Sequence, residues 1–293
     1  MVLFIETSKL LVEVLPKVGG KVAQIRYRPL DYDLLIPPQR PYRTIPHAGD
    51  WLAHDTSGMD DCFPNIAAGQ YPGDSEPSIM LPDLGEWTHG SWDVLDADQN
   101  VITMRRRGRS LPYLAYKTIK AANDDTLEFS YRVENQGRIP MRYMWSAHPL
   151  IRVPEEYRLI VPGEGVTFRT FPADGAVYSW PNWKGVNLGC DWITAGSTLK
   201  VFLTGLREGR CALQMPHCTI QFTFPWSTTP VLGIWLNNHG FPLERDRAFR
   251  CIAVEPCTSP TDLLDDLDDT AYPSILARGT AEWSFQLRIL PAR

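Results

Sequence analysis

With 293 residues, 44% of them hydrophobic and 22% charged, the chain carries the apolar content of a folded protein and far too much for a disordered one. A formal net charge of -5 gives no sequence-wide positive field, which argues against a nucleic-acid binder held by phosphate contacts. The six cysteines, Cys62, Cys190, Cys211, Cys218, Cys251 and Cys257, never form a close Cys-x-x-Cys pair. Metal binding is therefore not expected, and free thiols in a reducing cytoplasm are the default.

The chain opens Met1-Val2-Leu3-Phe4-Ile5-Glu6, meeting an acid before the apolar core of a signal peptide can develop. No later stretch is long and apolar enough to span a bilayer, so no membrane partner is expected. Residues 10–15 and 22–27 read as strands, and residues 37–83 form the longest irregular region, a length that in a compact domain usually serves function. Strand 101–106 runs into a basic cluster, Arg105, Arg106, Arg107 and Arg109 around Gly108, which reads as a solvated strand end or turn. The clearest strand is 126–134, where Leu127, Phe129, Tyr131 and Val133 alternate with polar residues, as in an antiparallel sheet with one wet face.

Strand 141–148 follows, with Arg142, Met144, Ser146 and His148 on one face and Tyr143, Trp145 and Ala147 on the other. Further strands fall at 199–204, 219–224, 231–236, 251–255 and 282–290. One short helix is predicted at 260–268, with Ser259 as its cap, Pro260 at its first position and Asp262 at its third. So many strands beside one short helix indicate an all-β protein made of two large packed antiparallel sheets. Without a low-complexity linker or a fixed-period repeat, residues 1–293 are expected to form a single domain.

Two positions stand out chemically. His148 ends an apolar strand immediately before Pro149, and Glu255 does the same before Pro256. Because proline cannot continue the ladder, both residues are expected at or near strand ends. Taken alone, His148 reads more readily as a satisfied structural histidine, and Glu255 equally well as a surface residue or a carboxylate aimed into a cleft. Spacing does not show that the two share one cleft.

Several short motifs, in order, resemble the aldose 1-epimerase (galactose mutarotase-like) superfamily. Gly58-Met59-Asp60-Asp61-Cys62-Phe63-Pro64-Asn65-Ile66 is similar to the "GG-D-E-x-F-P-T-I" segment of distant members. Leu81-Pro82-Asp83-Leu84-Gly85-Glu86-Trp87, with Trp92, resembles their "P-D-H-G-E" stretch and its following tryptophan. The strand at His148 resembles the one that bears the family's catalytic histidine, and Val254-Glu255-Pro256 resembles its "L-E-P" with the catalytic glutamate.

The resemblance implies a β-supersandwich with few short helices, whose concave face holds a monosaccharide and needs no cofactor. It implies mutarotation: Glu255 draws the proton from the C1 hydroxyl, His148 protonates the ring oxygen, the ring opens, and reclosure on the other face gives the second anomer. Leu84 departs from the pattern, standing where the family has a sugar-contacting histidine; His89, slightly further on, is the candidate substitute. Rings pack on the apolar faces of a pyranose while its hydroxyls seek polar partners, so Trp87, Trp180, Trp235, Asn237 and Asp60 are substrate-binding candidates, each individually as well explained by core or rim. Two other readings remain: a sugar-binding protein without chemistry, motivated by Leu84, and a hexose-phosphate epimerase, motivated by the arginine cluster.

Overall fold

The alternation at 126–134 becomes the Thr126–Asn135 strand, with Leu127, Phe129, Tyr131 and Val133 all buried. It pairs antiparallel with Tyr113–Asn123 on one side and Thr280–Pro291 on the other. The computed structural model describes residues 1–293 apart from 48, 55–56, 74–77, 243–247, 265–272 and 293.

Among the described residues, eleven strands form one sheet and eight form a second. The centre of the larger sheet carries, side by side, Lys21–Tyr27, Met59–Cys62, Ser146–Arg152, Arg250–Cys257, Val231–Asn238, Ser197–Thr204 and Thr167–Phe171. The smaller runs Arg158–Ile160, Arg210–Gln214, Cys218–Thr223, Thr280–Pro291, Thr126–Asn135, Tyr113–Asn123, Val101–Arg107 and Asp93–Ala97. The sheets pack face to face through an apolar layer to which both contribute: Phe129 stacks on Phe285 at 4.7 Å within the smaller sheet, and Tyr131 meets Trp145, the residue before the Ser146–Arg152 strand of the larger, at 5.0 Å. Burial of each such side chain contributes roughly 1.5–3 kcal/mol. This is the all-β sandwich the sequence implied. No helix among the described residues is long and apolar enough to cross a membrane.

The differences have physical causes. The strand expected at 141–148 breaks in two, Met141–Arg142 and Ser146–Arg152. Between them Tyr143, Met144 and Trp145 direct their N–H groups to Pro273 O, Pro64 O and Thr258 Oγ1 rather than to a ladder. His148 and Glu255 lie inside their strands, not at the ends, and both prolines continue them. The ladder between those strands is recorded at Ser146↔Cys257 and again at Leu150↔Ala253. Pro149 and Pro256 both fall in the gap, where the missing N–H groups disrupt one stretch of pairing instead of two. The helix expected at 260–268 does not form over its described part: residues 260–263 are irregular, Asp262 O accepts the Ala67 N–H at 2.8 Å, and residues 265–268 lie outside the described ones.

The Tyr113–Asn123 strand was hidden in the sequence by an inward-facing lysine. Lys117 occupies the same buried face as Tyr113, Ala115 and Ile119, and its ammonium crosses the sheet interface to Asp61 Oδ2 at 2.6 Å and Gly20 O at 2.9 Å. Tyr131 donates to Asp61 Oδ1 at 2.6 Å, and burial, followed by the Asp61 charge, holds that phenol far above its usual range, so it remains a donor. Removing one partner of a buried pair leaves the other charge uncompensated. Asp61→Asn, nearly isosteric, is therefore expected to cost about 3–5 kcal/mol of unfolding free energy, read from the urea midpoint at constant slope.

Candidate active site

Counting inward from Ser146↔Cys257 and Leu150↔Ala253, the register puts His148 directly opposite Glu255, on the same face of the larger sheet. His148 Nε2 lies 3.9 Å from Glu255 Oε1. The other carboxylate oxygen, Oε2, accepts from Ser146 Oγ at 3.1 Å and from Lys200 Nζ at 2.5 Å. Lys200 comes from the Ser197–Thr204 strand, with the Val231–Asn238 strand between it and Glu255. Gly233 on that middle strand pairs with Glu255 and opens the way, since a Cβ there would sit 3.3 Å from Glu255 Cβ and 3.4 Å from Oε2.

Above this group opens a cleft of about 470 Å³, within the range of small-molecule sites. Its lining includes Ile66, Phe171, Trp183, Trp235, Lys200 and Asp262, together with the largely buried His148. The imidazole is held between aromatic groups, Trp235 tilted at 5.9 Å and Trp51 edge-on at 6.4 Å. Asp262 Oδ1 stands 3.7 Å from Lys200 Nζ. Glu255 Oε1, His148 Nδ1 and Asp262 Oδ1 are all buried without a hydrogen-bond partner among the described residues. Of the three residues, His148 and Asp262 line the cleft, and Glu255 lies fully buried beside them.

Electrostatics separate the roles of these groups. Burial lowers the His148 pKa, with Glu255 opposing it, so the imidazole is neutral at pH 7. Burial also raises Asp262 to about 6. Lys200 loses hydration too, but Asp262 and Glu255 outweigh that loss and keep the ammonium firmly protonated. Asp83, from the proline-aspartate stretch, is raised by burial, which outweighs the opposing influence of the neighbouring Ala68 and Leu84 amides.

No protein-family model and no curated protein matches the chain. Solved structures do match along its whole length. The Slr1438 protein of Synechocystis superposes with a TM-score of 0.77 at 15% identity, covering 99% of this chain and 96% of its own. A galactose mutarotase-like protein from Lactobacillus casei gives 0.75 at 18%, covering 99% and 100%. The GalM/aldose epimerase homologue from C. elegans gives 0.64 at 13%, covering 100% and 99%. The fold is that of the galactose mutarotase-like proteins.

Within this mutarotase-like fold the other expected sugar contacts separate by location. Trp235 is half-buried in the cleft wall. Asp60 pairs with His148 across neighbouring strands, but its Oδ2 already accepts from Lys21 Nζ at 2.7 Å and Trp51 Nε1 at 3.3 Å. Trp87 is fully buried between the sheets, stacked on Phe63 and Tyr131, and offers no surface to a ligand. His89 is buried as well, with Nδ1 engaged by Thr88 Oγ1 and Gly85 O and Nε2 by Gly49 O. Asn237 spends its amide on the following turn, accepting from Gly240 and Phe241 N–H and donating to Phe241 O. Trp180 packs on Phe168, outside the described cleft lining.

Leu84, in place of the expected histidine, adopts φ 56° and joins Ile45, Trp51, Cys62, Ile66 and Met144 in an apolar cluster beneath the cleft. The next residue, Gly85, cannot carry a side chain: φ is 70° and a Cβ would fall 2.4 Å from Phe63 O. The arginine cluster belongs to the smaller sheet. Arg106 is buried, donating to Trp87 O at 2.9 Å, while Arg105 faces Asp93 and Arg107 bonds Gln136. None of these arginines is among the described cleft residues. Lys200, Asp262, Ser146, Phe171 and Trp183 were not picked out as site residues from the sequence, because nothing in their types or spacing distinguishes them from ordinary strand and loop positions.

Proposed function

We propose that the protein is an aldose 1-epimerase that interconverts the α and β anomers of an unphosphorylated monosaccharide. The carrying observation is the opposition of His148 Nε2 and Glu255 Oε1, 3.9 Å apart, His148 lining an open cleft and the buried carboxylate oxygen beside it having no hydrogen-bond partner among the described residues. A hemiacetal carries its hydroxyl and ring oxygen on the same carbon, so one acid and one base this close can serve both at once. Glu255 Oε1 takes the C1 hydroxyl proton and the freed electron pair forms the carbonyl. The bond from C1 to the ring oxygen breaks, and that oxygen takes a proton from the protonated form of His148, a minor fraction at pH 7, which becomes the neutral imidazole. Rotation about C1–C2 and the reverse transfers close the ring on the other face, leaving both residues as they began, with no cofactor required. Donor and acceptor each typically contribute about 10²–10⁴-fold. Trp235 supplies an apolar wall for one sugar face, and Asp262 supplies a hydroxyl partner.

The test is exchange NMR or polarimetry with purified protein on α-glucose and α-galactose. Accelerated anomer exchange is the expected result, and no acceleration for any of a panel of neutral aldoses would refute the proposal. Saturable sugar binding without acceleration would instead identify a binding protein, a reading favoured by the ion pair that Lys200 places on the proposed base.

A further inference from the structure

The two oxygens of Glu255 are held very differently. Oε2 accepts from Lys200 and Ser146, while Oε1 faces His148 with no hydrogen-bond partner among the described residues. The last torsion of a glutamate is broad and two-fold, so nothing in the residue itself keeps one oxygen turned toward His148. The division must come from its neighbours.

Of the two groups on Oε2, Lys200 is the better anchored. Its side chain is 8% exposed, its ammonium lies 5.2 Å from the centre of the Phe202 ring, and Asp262 stands on its other side at 3.7 Å. The Lys200 contact is charged on both sides and short, and charge-assisted bonds are roughly twice as strong as neutral ones. Ser146 holds Oε2 through a neutral hydroxyl at 3.1 Å, and the same hydroxyl lies 3.2 Å from Ala147 O, so it can turn between two acceptors.

We infer that Lys200 is a positioning residue for Glu255, pinning Oε2 so that Oε1 is the oxygen that exchanges a proton with the sugar. This assignment rests on the proposed anomer exchange and adds to it which oxygen works and what aims it. Lys200 donates to Oε2 throughout and transfers no proton itself. When Oε1 accepts the C1 hydroxyl proton, the ammonium keeps Asp262 beside it as its remaining counter-charge.

The test pairs crystal structures with kinetics. In Lys200→Met the Glu255 carboxylate is expected to turn away from His148, and kcat to fall by on the order of a hundredfold with KM little changed, as for a misplaced catalytic group. Lys200→Arg, which restores a cation able to reach Oε2, should recover most of the loss. A carboxylate unmoved in Lys200→Met, a kcat equal to that of the unsubstituted enzyme, or a loss confined to KM would overturn the inference. Should Lys200→Met not fold, Ser146→Ala decides: Glu255 is expected to keep its orientation there, and a carboxylate that turns would assign the hold to Ser146. If the unsubstituted protein exchanges no sugar, the enzymatic reading fails, while the carboxylate orientation in these variants still decides what holds Glu255.

Discussion

Glu255→Gln is expected to lower kcat/KM for anomer exchange by about 10²–10⁴-fold while leaving sugar affinity nearly intact. The substitution preserves the shape of a fully buried side chain and its oxygen can still accept from Lys200, but an amide cannot take a proton from the C1 hydroxyl. The rate loss therefore belongs to kcat rather than to KM, the pattern of a group whose contribution appears only in the transition state. Line-shape or saturation-transfer NMR on α-glucose measures exchange directly, and titration of sugar resonances gives affinity in the same sample. An unchanged rate would remove Glu255 from the proton transfer. A large rise in KM with kcat intact would make it a binding residue instead. The neutral amide also leaves Lys200 with Asp262 as its carboxylate partner among the described residues, so a urea titration belongs beside the kinetics to show that the fold is kept.

Much of the scaffold was legible because its strands alternate cleanly. Leu10–Leu15 matches the sequence expectation to the residue, and Thr126–Asn135 to within one. Legibility failed where a polar group faces inward. Lys117 disguised an eleven-residue strand, since its partner Asp61 belongs to the other sheet and no local pattern reveals it. Proline misled in another way: Pro149 and Pro256 read as strand terminators, but both fall within one ladder gap and leave both strands running.

The site divides along similar lines. Its proposed acid and base stand out in short motifs, whereas the groups around them depend on which way a side chain points after folding. Trp87 and Trp235 are the same residue type in comparable settings, yet one is sealed between the sheets and the other walls the cleft. Lys200 looks in sequence like any outward lysine on an apolar strand. It reaches the carboxylate past Gly233 on the neighbouring strand, where a Cβ would press on Glu255. Asp262, read as a helix-start acid, turns out to face Lys200, and its elevated pKa arises from burial that the sequence does not disclose.

His148→Ala carries the second large effect, an expected loss of about 10²–10⁴-fold in kcat/KM together with the loss of a pH limb. Protonated imidazole is the effective donor to the ring oxygen, and burial holds the His148 pKa below the ordinary histidine value of about 6.5. Exchange catalysed by the unsubstituted protein should therefore fall as pH rises through that lowered value, and the residual rate of His148→Ala should lack this descent. Stability should follow the opposite sign. A histidine whose pKa is depressed by folding contributes stability that is present above about 6.5 and lost as pH falls through the folded-state value, because the unfolded chain then binds the extra proton more readily. The proton that activates the site thus also weakens the fold. Urea midpoints measured across the same pH series should show a decline on the acid side that is smaller in His148→Ala, whatever constant cost the missing ring adds. Identical pH slopes of activity and of stability in both proteins would mean that His148 is not the titrating donor.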